Sequence, residues 1–156
     1  MTPPPTHRQL IEGLRTAVGD RNLITRQDKK EPYCTGFRFG SGAALAVVRP
    51  ATLVELWRSL VLCVEADVIV IMQAANTGLT GASVPRGHEH GVDRPTVVLN
   101  MTRLDKIMPI DGGQRMVCLA GAGIHSVLQK AQRCAMPRAS RATQCATQCA
   151  SRAMRR

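Results

Sequence analysis

Val68–Ser83 reads V-I-V-I-M-Q-A-A-N-T-G-L-T-G-A-S. Val68 to Met72 is a short apolar, β-branched run of the kind that fills a buried strand. From Gln73 to Ser83 there is no charge and almost no bulk. Small side chains let another molecule's backbone or phosphates come close, and glycines at 78 and 81 permit φ > 0. Successive N–H groups in such a turn can converge into an anion-binding concavity. The stretch therefore reads as a strand that delivers a phosphate-cradling loop. It matches neither G-x-G-x-x-G nor G-x-x-x-x-G-K-[ST], so spacing alone leaves an ordinary Gly-rich connection as the alternative.

The flanking sequence favours the cradle. Ala43–Val48 (A-A-L-A-V-V) has the character of a buried strand, ended by Arg49-Pro50. Thr52-Leu-Val-Glu55 has capping-box spacing and opens a helix running to about Glu65. Leu53, Leu56, Trp57, Leu60, Val61 and Val64 give that helix a wide apolar face. Strand, helix and strand between Ala43 and Met72 have the length of a βαβ crossover, which implies a parallel pair. Ligands of α/β sheets sit at the carboxyl edge of the strands, where this loop emerges.

Upstream, Thr6-His-Arg-Gln9 is another capping box, and Leu10, Ile11, Leu14 and Val18 form one helical stripe that Gly19 ends. Asp20 to Gly42 is mostly polar and reads as irregular. Downstream, Pro85–Pro95 is a polar excursion containing His88-Glu-His90, which without a third ligand reads as a solvated loop rather than a metal site. Thr96–Asn100 is a further strand. Leu104–Ile110 and Arg115–Ala120 read as a hairpin about Asp111-Gly112-Gly113. A helix then starts at Ile124 with Val127, Leu128 and Ala131 inward and His125 at the surface.

The 156 residues allow one domain or part of a larger one. No apolar stretch approaches the roughly 20 residues of a membrane-spanning helix, and the N-terminus lacks the apolar core of a signal peptide. A cytoplasmic or peripherally membrane-bound chain is the expectation. Cys34, Cys63 and Cys118 read as buried reduced thiols. Six of the ten net positive charges are arginines in residues 133–156, which contain no acid. Gln132–Arg156 lacks Leu, Ile, Val, every aromatic, Lys, Asp and Glu, and carries the duplication A-T-Q-C-A-T-Q-C-A at 142–150. Such a segment cannot offset the entropy of ordering. The boundary is therefore placed between 1–131 and 132–156, the latter disordered, weakly helical or translated out of frame. A basic tail suits nucleic acid, but stacking aromatics and recognised nucleic-acid motifs are absent, so nucleic acid is an unlikely partner.

Several of these segments carry a resemblance. Lys30-Glu-Pro-Tyr-Cys-Thr-Gly-Phe-Arg-Phe-Gly-Ser-Gly-Ala-Ala-Leu-Ala-Val-Val-Arg-Pro50, Leu53-Val-Glu-Leu-Trp57, Met72-Gln-Ala-Ala-Asn-Thr-Gly-Leu-Thr80 and Arg103-Leu-Asp-Lys106 resemble the amino-terminal part of the quinone-dependent, membrane-associated bacterial D-lactate dehydrogenases. These are FAD flavoproteins of the vanillyl-alcohol-oxidase (PCMH-type) superfamily. The resemblance covers residues 8–131. It implies an α/β (α+β) PCMH-type FAD-binding fold, its first subdomain with an incomplete remainder, and FAD, D-lactate and quinone as partners. It also implies that the backbone amides of Ala74, Ala75, Asn76, Thr77, Gly78, Ala82 and Ser83 hold the FAD pyrophosphate. The family tends to an acidic residue and glycine where this chain has Gly81-Ala82, so any contact at 82 falls to the backbone. The family's second FAD-contacting stretch, of the form S-x-I-G-S, and its substrate domain have no counterpart here. No catalytic base is assigned, and the expectation is a chain that binds flavin weakly and does not turn over.

Overall fold

The computed structural model describes residues 5–86, 94–110 and 115–135. The chain forms two units, Met1–Asp105 and Lys106–Arg156.

The first unit opens with α1 (His7–Val18), whose capping box forms as the sequence anticipates. Thr6 Oγ1 accepts from the Gln9 N–H, and Gln9 Oε1 accepts from the Thr6 N–H at 2.8 Å. Leu10, Leu14 and Val18 are buried, and Gly19 ends the helix at φ +81°. Asp20–Gly42 is more ordered than its polarity suggests. It holds a single 3-10 turn (Asp20–Asn22), the two-residue strand β1 (Leu23–Ile24) and a second helix, α2 (Gln27–Cys34). Only Lys30 and Cys34 of α2 are buried, and Pro32 lies inside it. That explains why no apolar periodicity announces it.

β2 spans Ala46–Val48, later than the strand start expected at Ala43. The Ala44 and Leu45 carbonyls instead accept hydrogen bonds from the Lys30 ammonium. α3 (Leu53–Glu65) follows, capped by Thr52, whose hydroxyl accepts from the Glu55 N–H at 3.1 Å. The Glu55 carboxylate reaches past the cap to the Ala51 N–H. β3 (Ile69–Gln73) and β4 (Thr96–Asn100) complete a four-stranded sheet in the order β1-β2-β4-β3. The crossover is present, but β2 and β3 are not neighbours as the sequence suggested. β4 inserts between them, parallel to both, with Val48 and Met72 each opposite Leu99. β1 runs antiparallel on the far edge.

One sheet face packs on α1 and α3 through Leu10, Leu14, Cys63, Ala46, Val48, Val97 and Leu99. The other carries Val47, Val98, Ala44 and Cys34. Only part of the expected α3 face turns inward: Leu56 packs against the core and Val61 is half-buried. Ser59 and Cys63 are fully buried, whereas Leu53, Trp57, Leu60 and Val64 are exposed. The helices approach closely at Gly13, where an added Cβ would sit 3.1 Å from Leu62 Cδ2. Beside Ser59 and Cys63, Leu56 and Leu62 also pack against the core, half-buried.

In the second unit, β5 (Ile107–Ile110) and β6 (Arg115–Cys118) pair antiparallel, as the hairpin reading requires. The expected Asp111-Gly112-Gly113 turn lies outside the described residues, as do His88 and His90. α4 (Ile124–Ala135) runs past residue 131. Val127 and Ala131 are half-buried, while Leu128, expected inward, is exposed.

The cysteines divide in the same way. Cys34 and Cys63 are buried free thiols, but Cys118 is exposed, against expectation, because β6 is an outer arm of a two-stranded hairpin. Burial pushes the Cys63 thiol up to about 11 and raises that of Cys34. The thiolate is the reactive species. At pH 8, an alkylating reagent is expected to modify Cys118 rapidly and Cys63 only after unfolding. Peptide mapping after timed quenching reads the order, and rapid labelling of Cys63 in the folded chain would contradict it.

Candidate functional site

The loop leaving β3 is held by the two residues that end the parallel strands. Gln73 and Asn100 are register partners, 1% and 2% exposed. Two buried primary amides side by side require several hydrogen-bond partners, and they find them. Gln73 Nε2 donates to the Ser83 carbonyl at 2.8 Å and the Tyr33 carbonyl at 2.9 Å. Gln73 Oε1 accepts from Asn100 Nδ2, which also donates to the Ala74 carbonyl, both at 3.0 Å. Asn100 Oδ1 accepts from the N–H and hydroxyl of Thr102. The carbonyls at both ends of the loop, Ala74 and Ser83, are thus fixed by one amide pair.

A further clamp lies inside the loop. Asn76 Nδ2 donates to the Thr35 carbonyl at 2.9 Å, and Asn76 Oδ1 accepts from the Ser83 hydroxyl at 2.8 Å. Asn76 has φ +55° and Gly81 φ +70°. Asn76 therefore takes the left-handed turn for which Gly78 was a candidate; asparagine tolerates that region because its side chain bonds locally. The loop packs on the turn 35–42, closed by Gly36 N–H to the Gly40 carbonyl at 2.8 Å. A Cβ on Gly81 would meet the Phe39 carbonyl oxygen at 2.8 Å.

Among the described residues, the peptide N–H groups of Ala74, Ala75, Asn76, Thr77, Gly78, Ala82 and Ser83 donate to no protein acceptor. Ala74, Ala75, Thr77, Gly78 and Ala82 are exposed; Asn76 and Ser83 are half-buried with their side chains spent on the loop itself. The loop carries no charge of its own, so an anion held there would be held by unspent peptide dipoles. All seven residues anticipated from sequence lie in this one loop. Gln73 and Asn100, which set its shape, were not anticipated. Their only signal is that each is a polar residue closing an apolar strand. A cleft of about 650 Å³ adjoins the loop at Thr80, Gly81 and Ala82, lined also by Ile69, Ile71 and Arg86. His125 is exposed and hydrogen-bonded to Gln129, as a surface residue.

Comparison with known proteins finds relatives in sequence. The chain is 51% identical over 120 residues to a quinone-dependent D-lactate dehydrogenase of Haemophilus influenzae, covering 77% of this chain and 21% of that protein. It is 43% identical over 125 residues to the Escherichia coli enzyme of the same name, covering 80% and 21%. The Corynebacterium glutamicum counterpart is 41% identical over 116 residues, covering 74% and 20%. The sequence matches part of the quinone-dependent D-lactate dehydrogenases. The chain spans about a fifth of the length of these curated relatives. No family model matches it.

Solved structures place the fold. p-Cresol methylhydroxylase with substrate bound superimposes with a TM-score of 0.64 at 21% identity, over 80% of this chain and 24% of that one. 4-Ethylphenol oxidase from Gulosibacter chungangensis gives 0.63 at 14% identity, over 84% and 26%. The fold is the α+β, PCMH-type fold expected from the D-lactate dehydrogenase resemblance. Among the described residues, no helix is long and apolar enough to cross a membrane.

Proposed function

We propose that this chain supplies the diphosphate-holding part of the FAD domain of a quinone-dependent D-lactate dehydrogenase. The observation that carries the reading is the row of unspent N–H groups at Ala74, Ala75, Asn76, Thr77, Gly78, Ala82 and Ser83. Those residues fit a pyrophosphate, because the loop's end carbonyls, which would repel it, are turned onto Gln73 and Asn100. The missing side chain of Gly81 keeps the loop seated on the 35–42 turn. When bound, FAD would accept the hydride of D-lactate and pass electrons on to quinone. The chain's own share is binding and orientation, and no side chain in it is assigned as the proton acceptor. The quinone in the relatives' names supports peripheral attachment to a membrane. A chain with these contacts and no assigned base is expected to hold flavin weakly and to leave D-lactate unoxidised.

The test is a titration of the 156-residue chain with adenosine, ADP and FAD. Hydrogen bonds to a charged acceptor are each worth about 1.5–3 kcal/mol, so ADP is expected to bind at least about tenfold more tightly than adenosine. The chain as purified should be colourless. Equal affinities for ADP and adenosine would remove the diphosphate reading.

A further inference from the structure

We propose that Gln73 and Asn100 are positioning residues that turn the loop's two terminal carbonyls, those of Ala74 and Ser83, inward and away from a ligand held by the loop's N–H groups. The inference rests on the diphosphate reading above and adds its mechanism. An exposed loop of about ten residues ordinarily presents carbonyls and N–H groups alike to water, and a carbonyl oxygen facing a phosphate is repulsive. Here the carbonyls of Ala74 and Ser83 are tied to adjacent amides of one in-register pair. Gln73 also holds the Tyr33 carbonyl, and Asn76 the Thr35 carbonyl, which joins the loop to the end of α2 and the turn beyond it. Every donor of the Gln73 amide points at a carbonyl, and its acceptor is taken by Asn100. The pair is buried and saturated, so it has no capacity left to bind a ligand itself. Its effect on a ligand runs through the backbone it orients.

The inference predicts an effect that packing alone would not produce. In Gln73→Glu, the introduced carboxylate faces the Tyr33 and Ser83 carbonyls without a donor while it is ionised. Protonation restores one O–H donor, and burial raises the pH at which this happens. The ratio of natural to variant affinity for ADP should therefore be about tenfold or more at pH 8 and shrink towards unity near pH 5. Adenosine affinity should not follow that trend. Asn76→Gly is the second variant. Glycine takes φ +55° without strain, while the bonds to Thr35 and Ser83 are lost, and a several-fold loss of ADP binding is expected.

The measurement is a ¹⁵N-amide NMR titration of the full 156-residue chain with ADP and with adenosine at pH 8 and pH 5. It follows the cross-peaks of residues 74–83. If the natural chain fails to prefer ADP, the cradle itself is refuted and this inference with it. If the natural chain prefers ADP and both variants keep that preference at pH 8, the cradle stands and the positioning role is refuted. Should Gln73→Glu not fold, Asn100→Asp decides, since it keeps the acceptor for Thr102 and loses the donors to Gln73 Oε1 and the Ala74 carbonyl, and it should lose the ADP preference at pH 8.

Discussion

Gly81→Ala is expected to lower the melting temperature of the chain by about 10 °C and to abolish the preference for ADP over adenosine. Two effects add at this position. The backbone sits at φ +70°, where a Cβ costs about 1–2 kcal/mol. That Cβ would also lie 2.8 Å from the Phe39 carbonyl oxygen and 3.3 Å from its carbon. Both obstacles are backbone atoms, so no rotamer change relieves the contact and the loop or the 35–42 turn has to move. Together these amount to about 2–4 kcal/mol, and a chain of this size loses about 2–4 °C per kcal/mol. Gly78→Ala is the internal control. Gly78 is not at positive φ, and its Cβ would meet nothing nearer than Ser83 Oγ at 3.9 Å. That substitution should leave the melting temperature nearly unchanged or slightly raised. Thermal melts with and without ADP read both variants, and a Gly81→Ala chain as stable as the natural one would show that the loop is not seated as described.

The two glycines show where sequence reasoning stops. That the loop needed left-handed residues was legible, and Gly81 takes one at φ +70°; that Asn76 rather than Gly78 takes the other was not. Asn76, which tolerates φ +55°, is held there by the carbonyl of Thr35, far away in sequence, which accepts from its side chain. The helix α1 was legible to the residue, because its capping box and stripe are local patterns. α2 was invisible, since a polar octapeptide with an internal proline carries no periodicity and is held by one buried lysine and one cysteine. The placing of β4 between β2 and β3 is a long-range pairing, and three apolar strands give no sign of their order. In α3 the apolar face was legible only in part: Leu56 packs against the core, but Leu53, Trp57, Leu60 and Val64 are exposed, because the helix meets α1 where Gly13 admits Leu62. A loop with unspent peptide N–H groups was legible because it depends on what the stretch lacks, charge and bulk. The amide pair beneath it was not, because its partners are carbonyls that sequence cannot place.

Leu99→Ala is expected to cost about 3–4 kcal/mol, the largest single loss from the core. Leu99 is 0% exposed on the central strand β4, opposite both Val48 and Met72. It belongs to the cluster with Leu10 and Leu14 of α1 and Cys63 of α3. A truncation there removes contacts from both helices at once. The neighbouring strands fix the sheet on each side, so the cavity cannot collapse, and such sites lie toward the upper part of the 2–5 kcal/mol range for leucine to alanine. Against a typical total of about 5–15 kcal/mol, about a fifth or more of the stability disappears. Leu128→Ala, at a position 56% exposed on α4, should cost under about 0.5 kcal/mol. Urea unfolding followed by Trp57, the only tryptophan, reads the first unit, in which α3 lies. The midpoint should fall with the slope unchanged, since the surface exposed on unfolding is nearly the same. Leu99 adjoins Asn100 but none of the loop's hydrogen bonds involves its side chain. Below the transition the variant should therefore still prefer ADP to adenosine. Loss of that preference in folded Leu99→Ala protein would mean that packing under β4, rather than the amide pair at its end, shapes the loop.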